Sequence, residues 1–160
     1  MLYINIICIG KLKEQYLKDA LNEYSKRLYK YCSLKIIELP DEKVPENLNA
    51  NIINKIKEIE SNNILSHIKN NSYTIALDLH GKQLSSEEFS LKIENIALNN
   101  NSNINFIIGG TLGLSDKLLK QATELISFSK MTFPHQLIRI FLLEQIFRAF
   151  KILSNEKYHH

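Results

Sequence analysis

A three-layer α/β domain built on a mostly parallel sheet is the fold class this sequence predicts, and three observations carry that expectation. Apolar, β-branched runs alternate with amphipathic stretches five times. Such strand–helix alternation builds parallel sheets whose crossover helices cover the faces. At 160 residues the chain is long enough for a sizeable core. No internal repeat or composition shift marks a boundary, so residues 1–160 are expected to form one domain.

The elements follow in order. The run "LYINIICI" (2–9) is a buried first strand. Leu17, Ala20, Leu21, Tyr24 and Leu28 recur at helical spacing within 14–31. "LKIIEL" (34–39) is a second strand, and "PDEKVPENLNANI" a loop in which Pro45-Glu46 suits a helix start. A long helix carries Ile52, Ile53, Ile56, Ile59, Ile64, Leu65 and Ile68, with a weak middle at Ser61-Asn62-Asn63. "SYTIALDL" (72–79) is the third strand and "HGKQL" (80–84) a turn. Ser85 with Glu88 forms a capping box that opens a helix to about residue 98. "INFIIGG" (104–110) is a strand ending in two glycines, Ser115 caps a short helix, and "ELISFS" is a fifth strand. The last helix is expected over about 133–152, with Thr132 as N-cap and Pro134 in the first turn.

Composition narrows the function classes. A hydrophobic content of 44% and charged content of 23% describe a soluble globular chain. Net charge +3 permits a nucleic-acid partner without requiring one. Cys8 sits in an apolar run, and two cysteines make neither a disulfide framework nor a zinc site. A reducing cytoplasm is therefore expected. The opening apolar run is short and lacks a basic leader, so it reads as a strand and not a secretion signal. No run reaches the roughly 18 apolar residues of a membrane span.

Ligands of open α/β sheets bind beyond the carboxyl ends of the strands. Three such ends are distinctive here: 77–82, 108–113 and 128–135. Gly109, Gly110 and Gly113 let backbone approach a ligand closely, but GGxxG matches neither the dinucleotide fingerprint nor the P-loop. A tight strand-to-helix turn and a ligand loop are equally good readings of it. For His80-Gly81-Lys82 a plain turn is the better reading. His135 and Arg139 share a helix face, and Arg suits phosphate or carboxylate recognition. Glu144 and Arg148 form an i,i+4 pair best read as a solvated ion pair. No HExxH, CxxC or paired-His motif is present, so no metal is expected.

Together "IGG..G", "SFSKMTFPHQLIRI.LLEQI.RA.KI", the terminal "YHH" and the earlier "GKLKE.Y", "Y.KRL", "PDEK.PEN" and "GK.LSSE" resemble the ribosomal large-subunit pseudouridine methyltransferases of the SPOUT class (RlmH-like). The resemblance spans essentially the whole chain. It implies a deep C-terminal trefoil knot, which periodicity does not foresee. It implies S-adenosyl-L-methionine as methyl donor, in a pocket formed by Leu77, Gly109, Gly110 and the loop Phe128, Ser129, Lys130, Met131, Thr132, Phe133 and Pro134. It also implies a homodimer with the site completed across the interface. The implied substrate is a pseudouridine of large-subunit (23S) rRNA, methylated on ring nitrogen 3 in the assembled ribosome.

His135, Arg139, Tyr158 and His159 are the resulting catalytic candidates, as proton acceptor or as stabilisers of developing charge. In that setting Arg139 faces the substrate, and Tyr158 and His159 reach over the site from the tail, of the same chain or of the other protomer. Relatives often end in Lys or Arg after Tyr-His, whereas His160 stands here, a weaker base than either. Two other readings compete: a nonenzymatic ribosome-binding or assembly factor on the same fold, and a nucleotide-binding dehydrogenase-like enzyme, which the GGxxG spacing disfavours.

Overall fold

The structure is a computed structural model that describes residues 1–99 and 101–158. Five strands, β1 (Leu2–Ile9), β2 (Cys32–Leu39), β3 (Tyr73–Gln83), β4 (Asn103–Ile108) and β5 (Glu124–Ser127), alternate with five helices. The helices are α1 (Gln15–Leu28), α2 (Ala50–Ser66), α3 (Ser86–Leu98), α4 (Asp116–Gln121) and α5 (His135–Leu153). The strands form one sheet in the order β2-β1-β4-β3-β5, and every pairing is parallel.

Side chains alternate across each strand, so successive residues enter different layers. Ile4, Ile6 and Cys8 of β1, with Ile104, Phe106 and Ile108 of β4, join Phe89 and Ile93 of α3 and Leu142, Leu143, Ile146 and Phe147 of α5 in one core. Ile7 and Ile9, with Ala76 and Ile107, pack with Ile64 of α2 and Leu118 of α4 in another. The sheet is therefore the middle of three layers, with α1, α3 and α5 on one side and α2 and α4 on the other. This is the architecture the alternation predicts.

Several boundaries differ from expectation, each for a local reason. The long helix begins at Ala50, because the Asn49 side chain accepts a hydrogen bond from the Ile52 N–H; Pro45-Glu46 stays in the preceding loop. Its polar middle is not a break: Ser61 is fully buried and its hydroxyl accepts from the Ser115 N–H at 2.9 Å. The capping box at Ser85 and Glu88 and the cap at Ser115 form as predicted. Thr132 does not cap α5. Pro134, in an extended conformation, occupies that position with no side-chain cap, and His135 is the first helical residue.

His80 to Gln83 of the predicted "HGKQL" turn lie inside β3. Ile126 of β5 is in register with Leu77 and again with Lys82, so the chain leaves the ladder between them and returns to the same partner. Gly81 allows the return: a Cβ there would lie 2.5 Å from the Ile126 carbonyl carbon. Backbone cannot yield as a side-chain tip does. Gly81→Ala is therefore expected to destabilise the protein by about 1–3 kcal/mol, measurable as a lowered melting temperature in a thermal unfolding scan.

Candidate functional site

Parallel strands end on the same side of a sheet, and their loops meet there. The carboxyl ends of β3, β4 and β5 enclose a groove of about 790 Å3. One wall is Leu77, Asp78, Leu79 and His80, where β3 bulges from the ladder. The floor is Ile108 and the turn Gly109–Leu114. The opposite wall is Phe128, Ser129, Met131, Thr132, Phe133 and Pro134, leading to His135 and Ile138 of α5. Of the residues predicted for the cofactor pocket, Lys130 alone is not among the lining residues.

Local chemistry shapes both loops. Gly113 has φ +86° and its N–H donates to the Gly110 carbonyl at 3.1 Å, closing the turn; the left-handed conformation makes glycine the natural choice there. A Cβ on Gly109 would stand 3.0 Å from Leu114, so the turn packs against its own continuation. In the second loop the Ser127 hydroxyl donates to the Ser129 carbonyl at 2.8 Å. The Ser129 hydroxyl in turn accepts from the Met131 N–H at 3.0 Å. Outside these loops Lys57 of α2 and Asp116 of α4 also line the groove. Nothing in the sequence distinguishes Lys57, which is half-buried, from the other helical lysines; only the packing of α2 on the glycine turn brings it there.

His135 is half-buried at the groove edge, and its pKa is lowered, chiefly by desolvation and then by the Arg139 charge. It is therefore neutral at pH 7. Arg139, one turn on, does not face the groove as expected. It is 1% exposed. Its Nη1 donates to Glu38 Oε2 at 2.8 Å, and its Nη2 donates to the carbonyls of Ile9 at 2.9 Å and Gly10 at 2.7 Å. Glu38 Oε2 also accepts from the Leu12 N–H at 2.9 Å. The guanidinium thus clamps the ends of β1 and β2 to the first turns of α5; its Nε has no hydrogen-bond partner but is buried, and Arg139 does not line the groove.

The described part of the tail, through Tyr158, packs on α5 of its own chain. Asn155 adopts φ +53°, and the chain folds back along α5. The Tyr158 ring meets Phe147 edge-on at 5.0 Å, and its hydroxyl donates to Glu144 Oε2 at 3.2 Å. Glu144 accepts from Arg148 Nε at 2.8 Å, and the Arg148 guanidinium lies 4.9 Å from the Tyr158 ring centre. The pair read as solvated is thus a half-buried anchor for the tail. Nine residues of helix, about 13 Å, separate His135 from Glu144. Tyr158 is not among the groove-lining residues of its own chain. His159 lies outside the described residues.

The family profile described as "Predicted SPOUT methyltransferase" matches residues 2–159. The chain belongs to this SPOUT methyltransferase family. It is 60% identical over 156 residues to "Ribosomal RNA large subunit methyltransferase H" of Clostridium botulinum, covering 98% of both chains. The protein of that name from Clostridium perfringens is 57% identical with the same coverage. Among solved structures, a probable methylase family protein from Haemophilus influenzae Rd KW20 matches 98% of this chain and 70% of its own at TM-score 0.56; at 11% identity this is a likeness of fold.

Membership in the SPOUT family implies S-adenosylmethionine as the methyl donor, and the groove fits such a group. Its volume lies within the roughly 300–1,000 Å3 of small-molecule sites. Leu77, Ile108 and Phe133 offer apolar walls for an adenosine, and the turn at Gly109–Gly110 exposes backbone groups for its ring nitrogens. Among the described residues no group of three or more His, Cys, Asp or Glu is arranged to hold a metal ion.

The buried clamp generates a stability prediction. Arg139→Ala removes charge-assisted bonds to two main-chain carbonyls and leaves both carbonyls unpaired. It is expected to cost about 3 kcal/mol or more, read as a shift in the urea unfolding midpoint. A loss below about 0.5 kcal/mol would show that the clamp is not structural.

Proposed function

We propose that this protein transfers a methyl group from S-adenosylmethionine to the position-3 ring nitrogen of a pseudouridine in large-subunit (23S) rRNA. One observation carries the reading: the glycine turn, the 128–134 loop and Leu77 converge on a single groove with His135 at its edge. The name of the 60% identical relative supports rRNA as the substrate. When bound, S-adenosylmethionine supplies an electrophilic methyl group on a sulfonium.

In this reading Leu77, Gly109, Gly110 and the loop from Phe128 to Pro134 hold and orient the donor. Alignment of donor and acceptor supplies most of the acceleration. The ring nitrogen becomes nucleophilic when its imide proton leaves. We assign His135 as the acceptor of that proton, because it is neutral at pH 7 and faces the groove. Arg139 acts through His135: its charge lowers the imidazole pKa, and its clamp sets the start of α5.

We further propose a homodimer. Met131 and Phe141 are exposed and Phe133 is half-buried beside Phe141, 5.5 Å ring to ring, so this end of α5 presents apolar surface to a second copy. The partner's Tyr158 and the partner's His159 then complete the groove that a single chain leaves open. A cytoplasmic protein of one SPOUT domain, knotted in its C-terminal part and acting on the assembled ribosome, completes the reading. Its charge of only +3 supports docking on a preformed surface over grip on naked RNA.

Titration calorimetry with S-adenosylmethionine tests the cofactor, and absence of heat at millimolar ligand would reject it. Mass spectrometry of rRNA from a deletion strain tests the substrate: one methylated pseudouridine is expected to disappear. His135→Ala is expected to retain donor binding and to lose about 10²–10⁴-fold in methyl transfer. A base must be deprotonated, so the rate falls as pH falls through its pKa. With the His135 pKa lowered, the acid limb of the pH–rate profile is expected below 6.5; a limb above that value would exclude His135.

A further inference from the structure

A second, smaller cavity of about 300 Å3 adjoins the groove on the α2 side. Gly110, Thr111, Leu112 and His135 line both. The remainder of the small cavity is Asp41, Glu42, Lys43 and Val44 from the loop after β2, and Ile56 and Glu60 from α2, so three carboxyl groups face it beside two apolar side chains and the Lys43 cation.

Glu60 is the unusual member. It is 4% exposed, and one of its oxygens has no hydrogen-bond partner. The other accepts from the Glu42 N–H at 2.9 Å. The unpartnered Oε1 lies 3.0 Å from where a Cβ on Gly110 would stand, so it is directed at the glycine turn. Among the described residues Glu60 forms no ion pair, with Lys43 or Lys57 or any other cation. Burial, and then the neighbouring charges of Asp41 and Glu42, raise its pKa against the opposing Glu42 N–H bond. A buried carboxyl oxygen without a partner is costly and calls for an explanation. Holding the 40–49 loop needs only the oxygen that meets Glu42; it does not account for the second.

We propose that Glu60 accepts a primary ammonium group, and that its cavity receives the amino-acid end of a ligand whose remainder lies in the main groove. The inference rests on the S-adenosylmethionine reading, because the α-amino group of that molecule is such a cation. Gly110 stands at the junction, where any side chain would press on Ile9 and Glu60. A metal is the poorer occupant, since these acidic groups are not arranged as a metal-ligand set. The ammonium supplies the missing partner for Oε1 and favours the ionised carboxylate.

The test compares wild type with Glu60→Gln by calorimetry, using S-adenosylmethionine and 5′-methylthioadenosine, which lacks the amino-acid arm. Gln keeps the volume and the acceptor for Glu42, so the variant is expected to fold. Affinity of the variant for S-adenosylmethionine is expected to fall about ten-fold or more, while that for 5′-methylthioadenosine stays within about two-fold. Equal affinity of both proteins for S-adenosylmethionine would overturn the proposal. So would a parallel loss for the two ligands, which would mark Glu60 as a shaper of the loop. If wild type binds the arm-less analogue but not S-adenosylmethionine, the ammonium assignment fails alone. If it binds neither, the methyltransferase reading fails with it.

Discussion

The Arg139 guanidinium is the interaction on which the site geometry depends. Five parallel strands bring their carboxyl ends to one side, but nothing in a sheet dictates where the following helices start. Arg139 sets that for α5. It is buried against the carbonyls of Ile9, the last residue of β1, and Gly10, and held by Glu38 of β2, so the first turns of α5 are tied to the carboxyl ends of these strands. Glu38 is 34% exposed and shares its oxygen with the Leu12 N–H, so the ion pair is only partly removed from water. The bonds to two main-chain carbonyls do most of the anchoring, since their loss would leave buried acceptors unpaired.

Two consequences follow for the groove. His135 sits one turn before the clamp, so its position is inherited from Arg139, and the nearby positive charge helps keep it unprotonated. The 128–134 loop must span from the end of β5 to a helix start that cannot move, and internal Ser127 and Ser129 hydrogen bonds shape it along the way. On the opposite side α2 is pinned by Ser61 to the start of α4, which brings Lys57 and Glu60 against the glycine turn. The groove is thus bounded by elements anchored on both faces of the sheet. Such preorganisation lets binding energy serve alignment of reacting groups in place of ordering loops.

Much of this was legible beforehand. The alternation of apolar runs and amphipathic stretches marked all ten elements, and the three distinctive strand ends are the ones that meet in the groove. The misses share a cause. Arg139 looked like a ligand residue because Arg on a helix near a loop often is; the carbonyls that claim it, of Ile9 and Gly10 at the end of β1, lie 130 and 129 residues earlier. Glu144 and Arg148 looked solvated because i,i+4 spacing says nothing of a tail folding over them. Asn49 outcompeted Pro45-Glu46 for the helix start because a side-chain acceptor satisfies a free N–H, which proline at the first turn does not.

By itself the sequence determined the layer order, the capping of α3 and α4, and the loops able to hold a ligand, because these depend on residues close together in the chain. The SPOUT motifs were readable for the same reason: they are contiguous runs. The tertiary structure alone decided which charges are spent on structure and which face the groove. Arg139 became a clamp, Tyr158 a neighbour of Phe147, and Glu60 a buried carboxyl with an oxygen to spare. A polar side chain's role depends on which partners reach it first, and for these residues the partners come from distant segments that only the parallel sheet brings together.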